Sequence, residues 1–161
     1  MHIRMSKQTL FLFVGIVVAL VSGTSAQAPK GLEGTWKLNV EKSKFSPGPP
    51  PKSMTVTYSA AGADGTKVVV DITPATGAAQ HWEMTVTYDG KESPIKGNPN
   101  ADTVSAKPSK GLTSESTFKK GGKVTATNHR ALSADGKTLT VTSKGVTEDG
   151  KPRNDVQVLE K

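Results

Sequence analysis

The chain has no cysteine. No disulfide framework can hold it and no lipid can be attached through an N-terminal cysteine, so packing and backbone hydrogen bonds must do the work. Aromatic residues are scarce. Beyond the first turns of sequence there are only Phe45, Phe118, Trp36, Trp82, Tyr58 and Tyr88. An outer-membrane barrel, with strands of about 9–11 residues and two aromatic girdles, is disfavoured. So is a stacking surface for nucleic acid, because Lys119, Lys120 and Lys123 cluster without aromatic neighbours. Helical periodicity is nearly missing. Catalytic signatures are missing too: no nucleophile elbow, phosphate loop or zinc spacing occurs. His81 and His129 are the only histidines after His2, and both fall on the polar parity of their segments. Most aspartates sit in turns. No enzyme, metal site or cofactor is expected.

What is present begins with a targeting pattern. Arg4 and Lys7 precede an apolar run from Leu10 to Val21, followed by the small residues Ser22 to Ala26. These are the three parts of a secretory signal peptide, and the run is shorter than the roughly 20 residues a membrane-spanning helix needs. Residues 1–26 are therefore expected to be removed. Residues 27–161 are then a single domain of suitable size, a secreted or periplasmic monomer with no integral membrane span. The formal charge is +7 for the whole chain. A mildly cationic surface suits solubility and suggests a weak attraction to anionic surfaces.

The rest of the chain alternates. Trp36, Leu38 and Val40 alternate with Lys37 and Asn39. Met54, Val56 and Tyr58 do the same, as do Val68, Val70 and Ile72, then Trp82, Met84, Val86 and Tyr88. Further runs cover Thr103–Ala106, Leu112–Lys119, Lys123–Leu132, Thr138–Lys144 and Asp155–Glu160. Period-two alternation rich in Val, Thr and aromatics marks half-buried strands. Asp64-Gly65, Asp89-Gly90, Gly121-Gly122, Asp135-Gly136 and Asp149-Gly150 punctuate the runs, and such pairs suit tight hairpins. Two connections are longer. Glu41–Ser53, with Pro47, Pro49, Pro50 and Pro51, reads as extended rather than helical, and Ser93–Ala101 reads as a loop. The fold class that follows is all-β: an antiparallel up-and-down meander closing into a barrel of about 8–10 strands. Closure removes the exposed edges an open sheet would have, and an immunoglobulin-like sandwich would need Greek-key crossovers.

The inward parity divides the chain. Its first half is bulky and apolar, from Trp36 through Tyr88. In its second half Ser114 and Ser116, then Asn128 and Arg130, then Ser143 interrupt the apolar set, while Val124 shares the inward parity of Ala126. Small and polar residues facing an apolar wall outline a ligand pocket. Arg130, Asn128, Ser114, Ser116, Ser143, Tyr58, Trp82 and Tyr88 are its candidate ligand-binding residues. Arg130 is the strongest of them, because a guanidinium forks onto a carboxylate or phosphate.

Gly34-Thr35-Trp36-Lys37-Leu38 resembles the opening strand of the calycin superfamily, which contains lipocalins and fatty-acid-binding proteins. The segment from Asp135 to Lys161 resembles the final strands of such barrels. The chain also resembles small secreted bacterial lipocalin-like proteins. The resemblance implies that Gly34 and Trp36 are structural, with Trp36 plugging one barrel end under a late basic residue. Arg130 or Arg153 could supply that residue, and parity, which puts Arg153 outward, favours Arg130. Two departures matter. The Pro-rich Glu41–Ser53 stands where fatty-acid-binding proteins have a helical lid. Val156-Gln157-Val158 stands where they carry an Arg-x-Tyr carboxylate clamp. The expected partner is a small lipophilic or amphipathic molecule inside the barrel. The alternative is a filled barrel that offers its loops to a protein.

Overall fold

Alternation along the chain becomes ten strands in the computed structural model, which describes residues 28–147 and 149–161. The expected signal peptide lies outside the described residues. The strands are β1 (Gly34–Leu38), β2 (Ser53–Ala61), β3 (Gly65–Thr73), β4 (Gln80–Thr87), β5 (Glu92–Lys96), β6 (Thr103–Pro108), β7 (Thr113–Lys120), β8 (Lys123–Leu132), β9 (Thr138–Val146) and β10 (Pro152–Glu160). Each pairs antiparallel with the next, and β1 pairs with β10, so the sheet closes in chain order. Every strand thus has two neighbours and no long edge is left to recruit another chain.

β5 falls where the sequence suggested a loop. Pro94 cannot donate to the ladder, and β5 is held by a few register pairs on each side, such as Met84↔Ile95 and Ser93↔Val104. Just after it, Gly97 (φ +84°) crosses so close to β4 that a Cβ would lie 2.4 Å from the His81 carbonyl oxygen. The turns differ in detail from expectation. Only Gly121-Gly122 joins its strands in two residues. At the β2–β3 turn the positive φ belongs to Gly62, not Gly65, which is already inside β3.

Closure at the β1–β10 seam is shared. β1 pairs with β10 only through Lys37↔Glu160 and Leu38↔Leu159. Val40, expected at the end of this strand, lies half-buried in the turn that follows it. Beyond Leu38 the 39–52 segment takes over as an irregular strap. Asn39 N–H donates to Val158 O (2.8 Å), Lys44 and Val156 exchange two hydrogen bonds, and Asn154 N–H donates to Ser46 O (2.6 Å). The backbone of β10 is therefore satisfied where β1 no longer reaches it. The strap is not helical, as its prolines lead one to expect, and it turns at Val40–Lys42 and bends at Ser46–Gly48.

One end of the barrel is plugged. Trp36 is fully buried and its Nε1–H donates to Leu32 O (2.8 Å). Leu132, Leu139 and Leu159 form a cross-strand row beside it. The cation over the Trp36 ring is Lys161, with Nζ 4.6 Å from the centroid and donating to Gly31 O (2.9 Å). It is neither of the two arginines the resemblance pointed to. Burying about 200 Å² of indole stabilises the fold by roughly 5 kcal/mol before entropy is counted.

Candidate ligand-binding site

Register makes the interior two-sided. On β2, β3 and β4 the inward rows are Met54↔Ile72, Val56↔Val70↔Trp82 and Tyr58↔Val68↔Met84. This wall is almost wholly apolar. Across the barrel, β7 to β10 place Ser116↔Asn128↔Ser143↔Asp155 at one level. The row nearer the plugged end is Ser114↔Arg130↔Val141↔Gln157, and the row nearer the open end is Phe118↔Ala126↔Gly145↔Arg153. Period-two geometry alone stacks these polar groups on one wall.

Two corrections follow from the same registers. Arg153 points into the barrel rather than outward. Leu159 is locked into the apolar plug, and alternation carries Gln157, Asp155 and Arg153 to the same side, leaving Val156 and Val158 half-buried on the outer face. Val124 does the reverse. A bulge after Phe118 breaks the β7–β8 register, inverts the parity of β8 before Ala126, and leaves Val124 56% exposed at the hairpin tip.

Between the walls lies a cavity of about 170 Å³ that opens at the strap end. That is near the size at which an apolar cavity takes a single ring (~150 Å³) and below the ~300–1,000 Å³ of drug-sized pockets. Of the candidates from sequence, Tyr58, Trp82, Asn128, Arg130 and Ser143 line it, while Ser114, Ser116 and Tyr88 are buried outside its lining. Burial also pushes the Tyr88 phenol upward, so its neutral form dominates. Arg153 and Gln157 line the cavity too. Sequence parity puts Arg153 outward and gives Gln157 no part in the pocket, although Leu159 and the period of two would have located both.

The polar wall is cationic and only partly satisfied. Arg130 is 8% exposed and hydrogen-bonds Ser116 Oγ through Nη1. Among the described residues no carboxylate lies within 4.0 Å of its guanidinium, as the ion pairs show. Arg153 donates through Nη2 to Ser143 Oγ (3.2 Å), and its Nε lies 3.6 Å from Asp155 Oδ2. Asp155 also accepts from the strap at Ser46 N–H (3.1 Å), yet its burial outweighs these partners and raises its carboxyl above the usual range. Asn128 Oδ1, Ser114 Oγ and Arg153 Nε are buried without a hydrogen-bond partner. At strand ends on the open side stand exposed Lys52 before β2, Lys96 at the end of β5, and Lys120 and Lys123 at the β7–β8 hairpin.

The histidines are elsewhere. His81 and His129 are exposed on the outer face, and His81 Nδ1 pairs with Asp71 Oδ1 (2.7 Å). Among the described residues no three His, Asp or Glu side chains converge to hold a metal, and no helix is long and apolar enough to cross a membrane.

No family model matches the chain, and no curated protein sequence matches it. Solved structures do. A mutant of the fluorescent protein UnaG aligns with a TM-score of 0.52 at 18% identity, covering 81% of this chain and 96% of that one. The fold is lipocalin-like. Two looser matches are a redesigned β-barrel, mFAP1, solved bound to DFHBI (TM-score 0.43, 14% identity, 84% of this chain and 100% of that one), and the siderocalin Ex-FABP, described as having dual ligand specificities (0.38, 11%, 81% and 73%). The likeness to the UnaG structure shows the fold alone, and the polar wall above is read from this chain's own residues.

Proposed function

We propose that this lipocalin-like barrel is an exported, monomeric binding protein, not an enzyme, for a small amphipathic molecule with an anionic head. The apolar body would lie against Val56, Val70, Trp82 and Met84, and the head would reach Arg130 and Arg153. The observation that carries the reading is Arg130: a buried guanidinium facing a cavity, with a serine but no carboxylate beside it. An uncompensated buried cation is costly, and an anionic ligand would supply the missing charge. The lysines around the open end would raise the local concentration of such an anion. The size of the cavity favours a single ring or a short chain. The rival reading, a filled barrel binding a protein through its loops, is less well supported because the interior is not filled.

Native mass spectrometry of protein purified from its own cells should show a retained small molecule. In the stripped protein, titration with lipophilic anions should change the emission of cavity-lining Trp82, with neutral and cationic analogues binding more weakly. A protein that retains nothing and responds to no member of such a panel is not a carrier.

A further inference from the structure

We propose that Asp155 sets the strength of the anion site: its carboxylate and the ligand compete for one cation, Arg153, and the barrel therefore takes up a proton together with its anionic ligand. The inference rests on the binding role above and adds the residue that tunes it.

Asp155 and Arg153 share the inward side of β10, and Asp155 stands opposite Ser143 of β9. Asp155 Oδ2 lies 3.6 Å from Arg153 Nε, and Oδ1 accepts the Ser46 N–H of the strap at 3.1 Å. Arg153 lines the cavity with its side chain 32% exposed, whereas Asp155 is buried outside the lining. No ligand has to touch Asp155. The charge of a guanidinium is delocalised over the whole group, so a carboxylate at its Nε edge weakens its pull on an anion arriving from the cavity. Carboxylate and ligand head would also repel each other, and more strongly here than in water. Protonating Asp155 removes that repulsion and leaves Arg153 to the ligand. The strap keeps its contact, because a neutral carboxyl still accepts a hydrogen bond.

The other groups around Asp155 do not take over this part. On β9, Ser143 Oγ accepts from Arg153, and Lys144 is exposed on the opposite parity. On the strap, Glu41 and Lys44 are exposed and Lys42 pairs with Glu160. On β8, Arg130 bonds Ser116. Burial outweighs the Ser46 hydrogen bond and the Arg153 charge and holds the Asp155 carboxyl above its ordinary range, so its proton arrives at milder acidity than an exposed aspartate needs. Linkage then runs both ways. If the proton strengthens anion binding, the anion strengthens proton binding by the same factor.

The experiment is calorimetric titration of the stripped full chain with hexanesulfonate and toluenesulfonate, which stay anionic from about pH 4.5 to about pH 8. In the unaltered protein their affinity should rise roughly five- to tenfold as pH falls through the Asp155 value, while that of neutral hexanol stays level. At about pH 8 Asp155→Asn should already bind the sulfonates at the higher affinity. Titration in buffers of different ionisation heat should show proton uptake on binding in the unaltered protein, lost in Asp155→Asn. Sulfonate affinity that is level with pH and takes up no proton overturns the proposal without any variant. A pH response that survives Asp155→Asn also overturns it, since exposed His81 and His129 are present in both proteins. Failure of both sulfonates to bind at any pH overturns the parent reading instead. The two failures are therefore distinguishable.

Discussion

Replacing Arg130 with methionine separates a binding residue from a structural one. The guanidinium is 8% exposed, has one serine partner and faces no carboxylate within ion-pair distance. Methionine keeps most of the apolar stem and removes the charge. Lost is one charge-assisted hydrogen bond, about 1.5–3 kcal/mol. Recovered is the effective desolvation penalty of a buried ion, several kcal/mol, together with roughly 1.5–3 kcal/mol from burying the thioether chain. Ser116 is left without a partner, at about 1–3 kcal/mol, so Ser116→Ala is added to relieve it. The double variant Arg130→Met/Ser116→Ala should be as stable as the unaltered barrel or more stable by about 1–3 kcal/mol. Its urea midpoint should move upward at unchanged m-value, and it should no longer bind lipophilic anions. A fall in stability of more than about 2 kcal/mol would refute the reasoning. The guanidinium would then be holding the barrel together, and its position at the cavity would carry no functional meaning.

Three further outcomes are expected. Trp36→Ala should cost about 3–5 kcal/mol by denaturant melts, and a midpoint equal to the unaltered chain would remove Trp36 from the plug. Gly145→Ala should destabilise by about 1–3 kcal/mol, because its Cβ would sit 2.2 Å from Thr125 O and 2.8 Å from Ala126 Cα on the neighbouring strand; an unchanged melting temperature would mean that β8 and β9 are not this close. For Asp155 the buried carboxyl is raised, so folding favours its neutral form. That contribution is complete below the unfolded value of about 3.9 and is lost as pH rises through the folded value. Asp155→Asn should therefore gain stability relative to the unaltered chain between about pH 4 and pH 7, and a gap moving the other way would show that the Arg153 pairing outweighs burial.

Legibility varied along the chain for physical reasons. The long, strongly alternating runs of β2, β3, β4 and β9 were plain, because their faces differ sharply in polarity. β5 was hidden, since a five-residue strand containing Pro94 has no pattern distinct from a loop. The exposure of Val124 was hidden because a bulge is a property of two strands together and leaves no mark on either alone. Lys161 over Trp36 joins the first strand to the residue that follows the last, 125 positions apart, and only closure brings them together.

The sequence by itself determined a strand meander, the faces of most strands, and a second half whose inward positions turn polar. Those are local properties, set by side-chain alternation and turn chemistry. Only the tertiary structure decided that the sheet closes through a Pro-rich strap, that Arg153 and Gln157 join Arg130 on one wall, and that a cavity remains between that wall and the apolar one. The reason is register. A side chain's neighbours across a sheet are chosen by pairing and closure over long separations, and a shift of one residue would have turned the whole polar wall outward.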